Sequence, residues 1–180
     1  MYDAALVDAI IPLMPGLPER LDPGDGPDVL DVGTGQGHAV NLPARAFPAG
    51  RFTGMDMSES GIAAARLSLR NAHFGLADAA AVTGPYDLVT AFGVIHDLVR
   101  PAQTLAAVAG ALRDDGVFLM GDIAASSKLE ENLDLPLGPA LPTFSVFSCM
   151  TVSLGEGGVP GRGRGRARGP YGAGRPRCAC

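Results

Sequence analysis

The stretch Asp31-Val-Gly33-Thr34-Gly35-Gln-Gly37 places a carboxylate ahead of three alternate glycines, directly behind the apolar pair Val29-Leu30. Glycines so spaced turn a chain tightly and let its backbone approach a ligand closely. Amides where such a turn enters a helix are left unpaired and carry partial positive charge, so an anionic group sits well there. A nucleoside triphosphate is disfavoured, because the Lys-Ser/Thr that should end a P-loop is absent. A dinucleotide fingerprint fits imperfectly, since His38 stands where its third glycine belongs.

Further acids narrow the ligand. Asp56 follows Gly35 by 21 residues, a placement suited to accepting hydrogen bonds from ribose hydroxyls. Asp78, with Ala79 behind it, has two readings: an acceptor for an exocyclic amine, or the cap of a short helix. Asp31 makes sense if the ligand brings a cationic end to the turn, because a buried carboxylate needs a donor. A nucleoside with an amino-acid tail offers all three partners, which points to S-adenosylmethionine. His96, in Val-Ile-His96-Asp97-Leu, is the candidate general base with Asp97 as orienting partner; the competing reading is a histidine that caps backbone or packs. Asp87 reads as a solvated turn residue. Cys149 reads as a small packing residue with no partner base.

These residues need elements to hold them. Apolar spacing predicts a short N-terminal helix over 2–14, ending at Pro15-Gly16. Strands are expected over 28–32, 51–56, 72–78, 86–92 and 117–123. Helices are expected over 35–47, over 58–71 with Ser58 as cap, and over 101–116, opened by Pro101 and closed by Gly116. Pro43 falls inside the first of these three, where proline costs about 3 kcal/mol and should kink it. Strands alternating with helices imply parallel pairing through right-handed crossovers: a doubly wound α/β sheet with its ligand at the strands' carboxyl ends.

Composition agrees with a packed domain. The 180 residues are 47% hydrophobic and 18% charged, with net charge −5. Residues 1–154 carry 8 Lys and Arg against 18 Asp and Glu, while 155–180 carry 6 arginines and one acid. An acidic body disfavours nucleic acid and anionic membranes as partners. No apolar run has the roughly 18 to 20 residues a bilayer crossing needs. With three cysteines and no signal-like start, a cytoplasmic location without a disulfide framework is expected.

The segments VLDVGTGQGH, FTGMDMS, FGLADAA, YDLVTAFGVIHDL and ALRDDGVFLMGDI together resemble the class I, Rossmann-like S-adenosylmethionine-dependent methyltransferases from about residue 20 to 123. Beyond Asp122 the chain resembles a bacterial subgroup whose core usually follows a winged-helix domain. The resemblance implies that Asp31, Gly33, Thr34, Gly35 and Gly37 hold the methionyl part and Asp56 the ribose. Met57 would pack on the adenine, Asp78 and Ala79 would face its amine, and Phe92 and Gly93 would line the cofactor near the methyl group. It implies a small-molecule methyl acceptor of unspecified atom type. The alternative in another class is an NAD(P)-dependent oxidoreductase on a similar sheet. Set against the family pattern, the chain looks truncated at both ends, with the segment between Ala65 and Asp78 short and the last strands of the sheet missing. Residues 1–154 are read as the methyltransferase domain and 155–180 as a disordered Gly/Arg/Pro-rich tail. An Arg-Gly tract can bind single-stranded nucleic acid; the competing reading is an out-of-frame gene end, since Gly, Ala, Arg and Pro are the residues of GC-rich codons.

Overall fold

The computed structural model describes residues 5–13, 16, 19, 26–65, 69–126, 128–149 and 151. Five strands form its centre: β1 (Asp28–Val32), β2 (Arg51–Asp56), β3 (Ala72–Leu76), β4 (Tyr86–Phe92) and β5 (Leu112–Gly121). All pair in parallel, in the order β3-β2-β1-β4-β5. Helices α1 (His38–Ala46), α2 (Glu59–Ala65) and α3 (Pro101–Ala111) lie between successive strands. This is the doubly wound α/β fold expected from the alternation. Strand order reverses at β1, so the crevice for a ligand opens beyond Val32. The expected N-terminal helix is a π-helical turn, Leu6–Ile10, continued by a 3-10 turn, Ile11–Leu13. The 155–180 tail lies outside the described residues.

By packing, the chain forms two compact units. One runs through β1–β4 to Phe92 and includes Ala102–Gly121; the other comprises Gly93–Pro101 and the described residues between 122 and 151. In the first unit Leu6, Ile11, Val29, Val40, Ala44, Phe52, Ala72, Leu88 and Leu119 pack into one cluster. Leu30, Val32, Val89 and Ala91 are buried as well, as strands covered on both faces require. No helix among the described residues is long and apolar enough to cross a membrane.

The expected boundary between the last helix and the last strand moves. The helix from Pro101 stops at Ala111 rather than Gly116, and β5 starts at Leu112. Asp114-Asp115-Gly116 are poor helix formers, and Arg113 is held elsewhere. Its Nε lies 3.0 Å from Asp87 Oδ1 and its Nη2 2.9 Å from Asp28 Oδ2. Leu112 pairs with Tyr86 and Val117 with Leu88, so residues 113–116 bulge opposite Asp87 alone. Asp87 is therefore not a solvated turn residue: it sits on β4, accepts the Asp28 N–H at 2.8 Å and meets Arg113. Arg51 grips Asp28 through two bonds, 2.6 and 2.7 Å, and chiefly for that reason the Asp28 carboxyl titrates below the usual range. Pro43 is buried inside α1 without ending it; the helix runs to Ala46, and Phe47 N–H donates to the Pro43 carbonyl at 2.8 Å.

Phe52, fully buried at the centre of the cluster, is the anchor of the first unit. Phe52→Ala is expected to lower unfolding free energy by about 3–5 kcal/mol in urea titration; a loss below about 1 kcal/mol would show that the cluster does not carry the fold.

Candidate functional site

The crevice end of the sheet is organised around one row of residues. Phe74, Gly54, Asp31, Thr90 and Leu119 stand in register across β3, β2, β1, β4 and β5. Thr90 Oγ1 donates to Asp31 Oδ1 at 2.6 Å. The Thr34 hydroxyl also lies close enough to favour the charged carboxyl, although it makes no hydrogen bond of normal geometry and is a buried orphan. Asp31 is 3% exposed. Burial raises its carboxyl to about 6, against the opposing pull of the two hydroxyls. Gly54 makes room for this arrangement, since a Cβ there would stand 2.7 Å from Thr34 Oγ1 and 2.8 Å from Phe74.

The glycine turn is pinned rather than bare. Gly33 and Thr34 N–H donate to the Met55 carbonyl at 2.9 and 3.0 Å, and Gly37 N–H to the Thr34 carbonyl at 2.8 Å. Gly35 N–H donates to Asp56 Oδ2 at 2.8 Å, while Asp56 Oδ1 accepts from Ser58 N–H at 2.8 Å. The expectation of unpaired amides awaiting an anion is thus corrected for these four. Parallel pairing of β1 with β2 brings the Met55 carbonyl and the Asp56 carboxylate beside the turn, where they satisfy its donors first. The glycines differ in purpose. All three have positive φ, but a Cβ on Gly37 would press within 2.9 Å of Phe74 and Ala65, whereas one on Gly35 would meet nothing within 4 Å. Open space therefore adjoins Gly35.

The other expected cofactor residues fall as follows. Met57 is 57% exposed just past β2. Asp78 lies beyond the end of β3, which stops at Leu76 rather than 78, and caps the 3-10 turn Ala79–Ala81 by accepting the Ala80 N–H at 2.8 Å; Ala79 is buried. The capping reading of Asp78 is realised. Phe92 ends β4 and packs against the core cluster. Gly93 follows with φ +66° and nothing near its Cβ position.

In the second unit, His96 sits on a 3-10 turn, Ile95–Asp97. Its Nδ1 is 2.5 Å from Asp122 Oδ1, and its backbone N–H donates to Asp122 Oδ2 at 3.2 Å. Asp97, the expected orienting partner, instead faces the other nitrogen, with Oδ1 3.3 Å from Nε2. A cavity of about 470 Å³ opens beside His96, lined in part by Ser126, Asn132, Phe144 and Cys149. Asn132 holds one wall by accepting the Ser126 N–H at 2.7 Å and donating to the Ser126 carbonyl at 2.8 Å.

A family model described as a methyltransferase domain matches residues 23–136. The chain belongs to that family. It is similar to the nocamycin O-methyltransferase of Saccharothrix syringae, 34% identical over 144 residues, covering 72% of this chain and 50% of that protein. It is also similar to the trans-aconitate 2-methyltransferase of Methylobacterium radiotolerans, 29% identical over 135 residues, covering 74% and 49%. The chain spans about half the length of these two curated relatives. Its fold is similar to the solved plantazolicin methyltransferase BpumL in complex with SAH, with TM-score 0.52, 24% identity, 60% of this chain and 43% of that one covered.

Two residues escaped the sequence reading. Thr90 hides in an apolar strand, and only its register opposite Asp31 gives it a task. Asp122 reads as a strand end and shows its role only by meeting a histidine 26 residues earlier.

The raised Asp31 carboxyl has a direct consequence. Its protonated form is favoured by folding, so the contribution is fully present below the ordinary aspartate value of 3.8 and lost as pH rises to about 6. Folding stability of the ligand-free chain is expected to fall by about 3 kcal/mol across that window. Asp31→Asn should flatten this part of the pH profile in chemical denaturation; an unchanged slope in the variant would place the titration elsewhere.

Proposed function

We propose that the chain is an S-adenosylmethionine-dependent methyltransferase acting on a small-molecule acceptor. The observation that carries this reading is the buried Asp31 carboxyl at the switch point of the sheet, held by one strong donor and adjoining a turn stitched to Asp56. Membership of a methyltransferase family supports it. So do the relatives, whose names specify methyl transfer to small organic compounds.

The residues present fit the cofactor. Among the described residues Asp31 has no cationic partner, and the Thr34 hydroxyl is a buried orphan. Gly35 borders open space, and Met57 offers an exposed apolar side chain past the strand end. In this reading Asp31 takes the ammonium of the methionyl part, drawn back to its charged form by that contact. Asp56 keeps its two backbone donors and uses its remaining lone pairs for the ribose. Met57 covers the adenine, and Phe92 and Gly93 line the methyl end. Asp78, which also caps the turn through Ala80, is assigned to the exocyclic amine. The cofactor itself supplies a sulfonium whose departure needs no acid, so the chain's task is to bind and align. His96, fixed by Asp122 through both ring and backbone, is the proton acceptor when the acceptor is a hydroxyl.

Isothermal titration of the purified chain with S-adenosylhomocysteine should show one site, with NADH giving no heat. Asp56→Asn should weaken that binding at least tenfold, about 1.4 kcal/mol. Affinity should rise as pH goes from 5 to 7, because Asp31 must ionise to hold an ammonium. Binding of NADH in place of the homocysteine compound would move the chain to the oxidoreductase class. On a panel of small carboxylic and hydroxylated acceptors, His96→Gln should lower kcat by about 10²–10⁴ for hydroxyls only. Carboxylates, already deprotonated, should be spared; equal losses on both would remove the base role.

A further inference from the structure

Three donor atoms of different chemistry converge in the second unit. One ligand atom from each of His96, Asp97 and Cys149 lies within 4.8 Å of those of the other two, and His96 Nε2 stands 3.3 Å from Asp97 Oδ1. The Asp122 carboxylate at Nδ1 makes that nitrogen the donor and leaves Nε2 with its lone pair outward. In that tautomer Nε2 and Asp97 Oδ1 are two acceptors 3.3 Å apart; Oδ1 is buried and makes no hydrogen bond of normal geometry, although the Cys149 thiol interacts with the Asp97 carboxylate. Two lone pairs set so close call for a cation between them, a proton or a metal ion. In a tetrahedral site with Zn–N and Zn–O bonds of about 2.0–2.1 Å, neighbouring ligand atoms stand about 3.3 Å apart. The His96–Asp97 pair already has that spacing. Cys149, on the π-helical turn Ser145–Cys149, supplies sulfur as the third ligand.

We propose that His96, Asp97 and Cys149 form a divalent transition-metal site, suited to Zn²⁺, oriented by Asp122 and with its fourth position open to the cavity. One imidazole, one carboxylate and one thiolate match a borderline-soft ion and exclude Mg²⁺ and Ca²⁺, which take oxygen ligands. Asp122 on Nδ1 is the carboxylate–histidine–metal arrangement that fixes tautomer and ring plane. His96 and Cys149 both line the cavity of about 470 Å³, so a water or a substrate atom can complete the tetrahedron. Cys149 must give up its proton to bind, and that proton is held firmly by burial and by the neighbouring Asp97 carboxylate. Metal binding accordingly strengthens with pH. Proton and metal are alternative occupants of one gap, so a loaded metal removes Nε2 as the proton acceptor proposed above. The site does not rest on the cofactor reading, whose binding residues, Gly93 apart, belong to the first unit.

The test is titration of the full chain with Co²⁺, in a background where Cys178→Ser and Cys180→Ser leave Cys149 as the one thiolate. The expected result is one Co²⁺ per chain, with intense visible bands of a four-coordinate ion, a thiolate-to-metal charge-transfer absorption, and displacement of both by Zn²⁺. Adding Cys149→Ser should abolish the charge-transfer band. Asp122→Asn should keep the band and weaken Co²⁺ binding by about 10- to 100-fold, with S-adenosylhomocysteine affinity unchanged in both. Should Cys149→Ser fail to fold, His96→Gln serves instead and must lose the four-coordinate spectrum. A pale six-coordinate spectrum, or a charge-transfer band that survives Cys149→Ser, overturns the site. A cobalt signature without S-adenosylhomocysteine binding leaves the metal site standing and removes the cofactor reading.

Discussion

A carboxyl buried at the end of the central strand constrains everything around it. Asp31 lies two residues beyond Val29 on the same face of β1, so it crowns the apolar cluster that Val29, Phe52 and Leu88 build. An ionised group there must be met by donors or it shifts its pKa, and both responses are visible. Thr90 donates from the adjacent strand, and burial still drives the carboxyl up to about 6. Gly54 on the other flank has no side chain, which lets Thr34 fold back over the acid. Replacing any member of this row changes the state of Asp31 before it changes a ligand contact.

The sheet has opposite characters at its two ends. At the end where β1 begins, Asp28, Arg51, Asp87 and Arg113 satisfy one another and bind four strands together. Each charge there has a partner, so that end stabilises and offers nothing to a ligand. At the other end, among the described residues, Asp31 meets hydroxyls and Asp56 meets backbone amides rather than cations. Asp56 also joins the turn after β1 to the turn after β2 through Gly35 and Ser58. A residue read as a ribose acceptor is thus structural as well, and it reaches a ligand from a framework already fixed. That is how preorganisation is built into a loop whose glycines would otherwise leave it slack.

Legibility in the sequence followed the range of the forces involved. Strands β2 and β4 were readable to the residue because apolar runs bounded by turn residues are local signals. Asp31 and Asp56 were readable because the glycine spacing places them. The end of α3 was not, because Arg113 leaves the helix for carboxylates 85 and 26 residues earlier in the chain, at Asp28 and Asp87. Nor was the pairing of the turn amides, which depends on β2 lying beside β1 in a particular register. Asp78 was legible as a choice between two roles, and a helix cap is the one that local backbone geometry decides.

His96 shows the same limit more sharply. Its four-residue neighbourhood names one carboxylate, Asp97, yet the one that orients the ring is Asp122, from beyond the fifth strand. Once Asp122 takes Nδ1, Asp97 cannot serve as an orienting partner; it becomes a second acceptor aimed at the remaining nitrogen. A histidine that merely packed would need neither carboxylate. An imidazole with an acid on each side is instead tuned to hold a cation at Nε2. A metal can take that place only when Nε2 is unprotonated and the thiol of Cys149 has lost its proton.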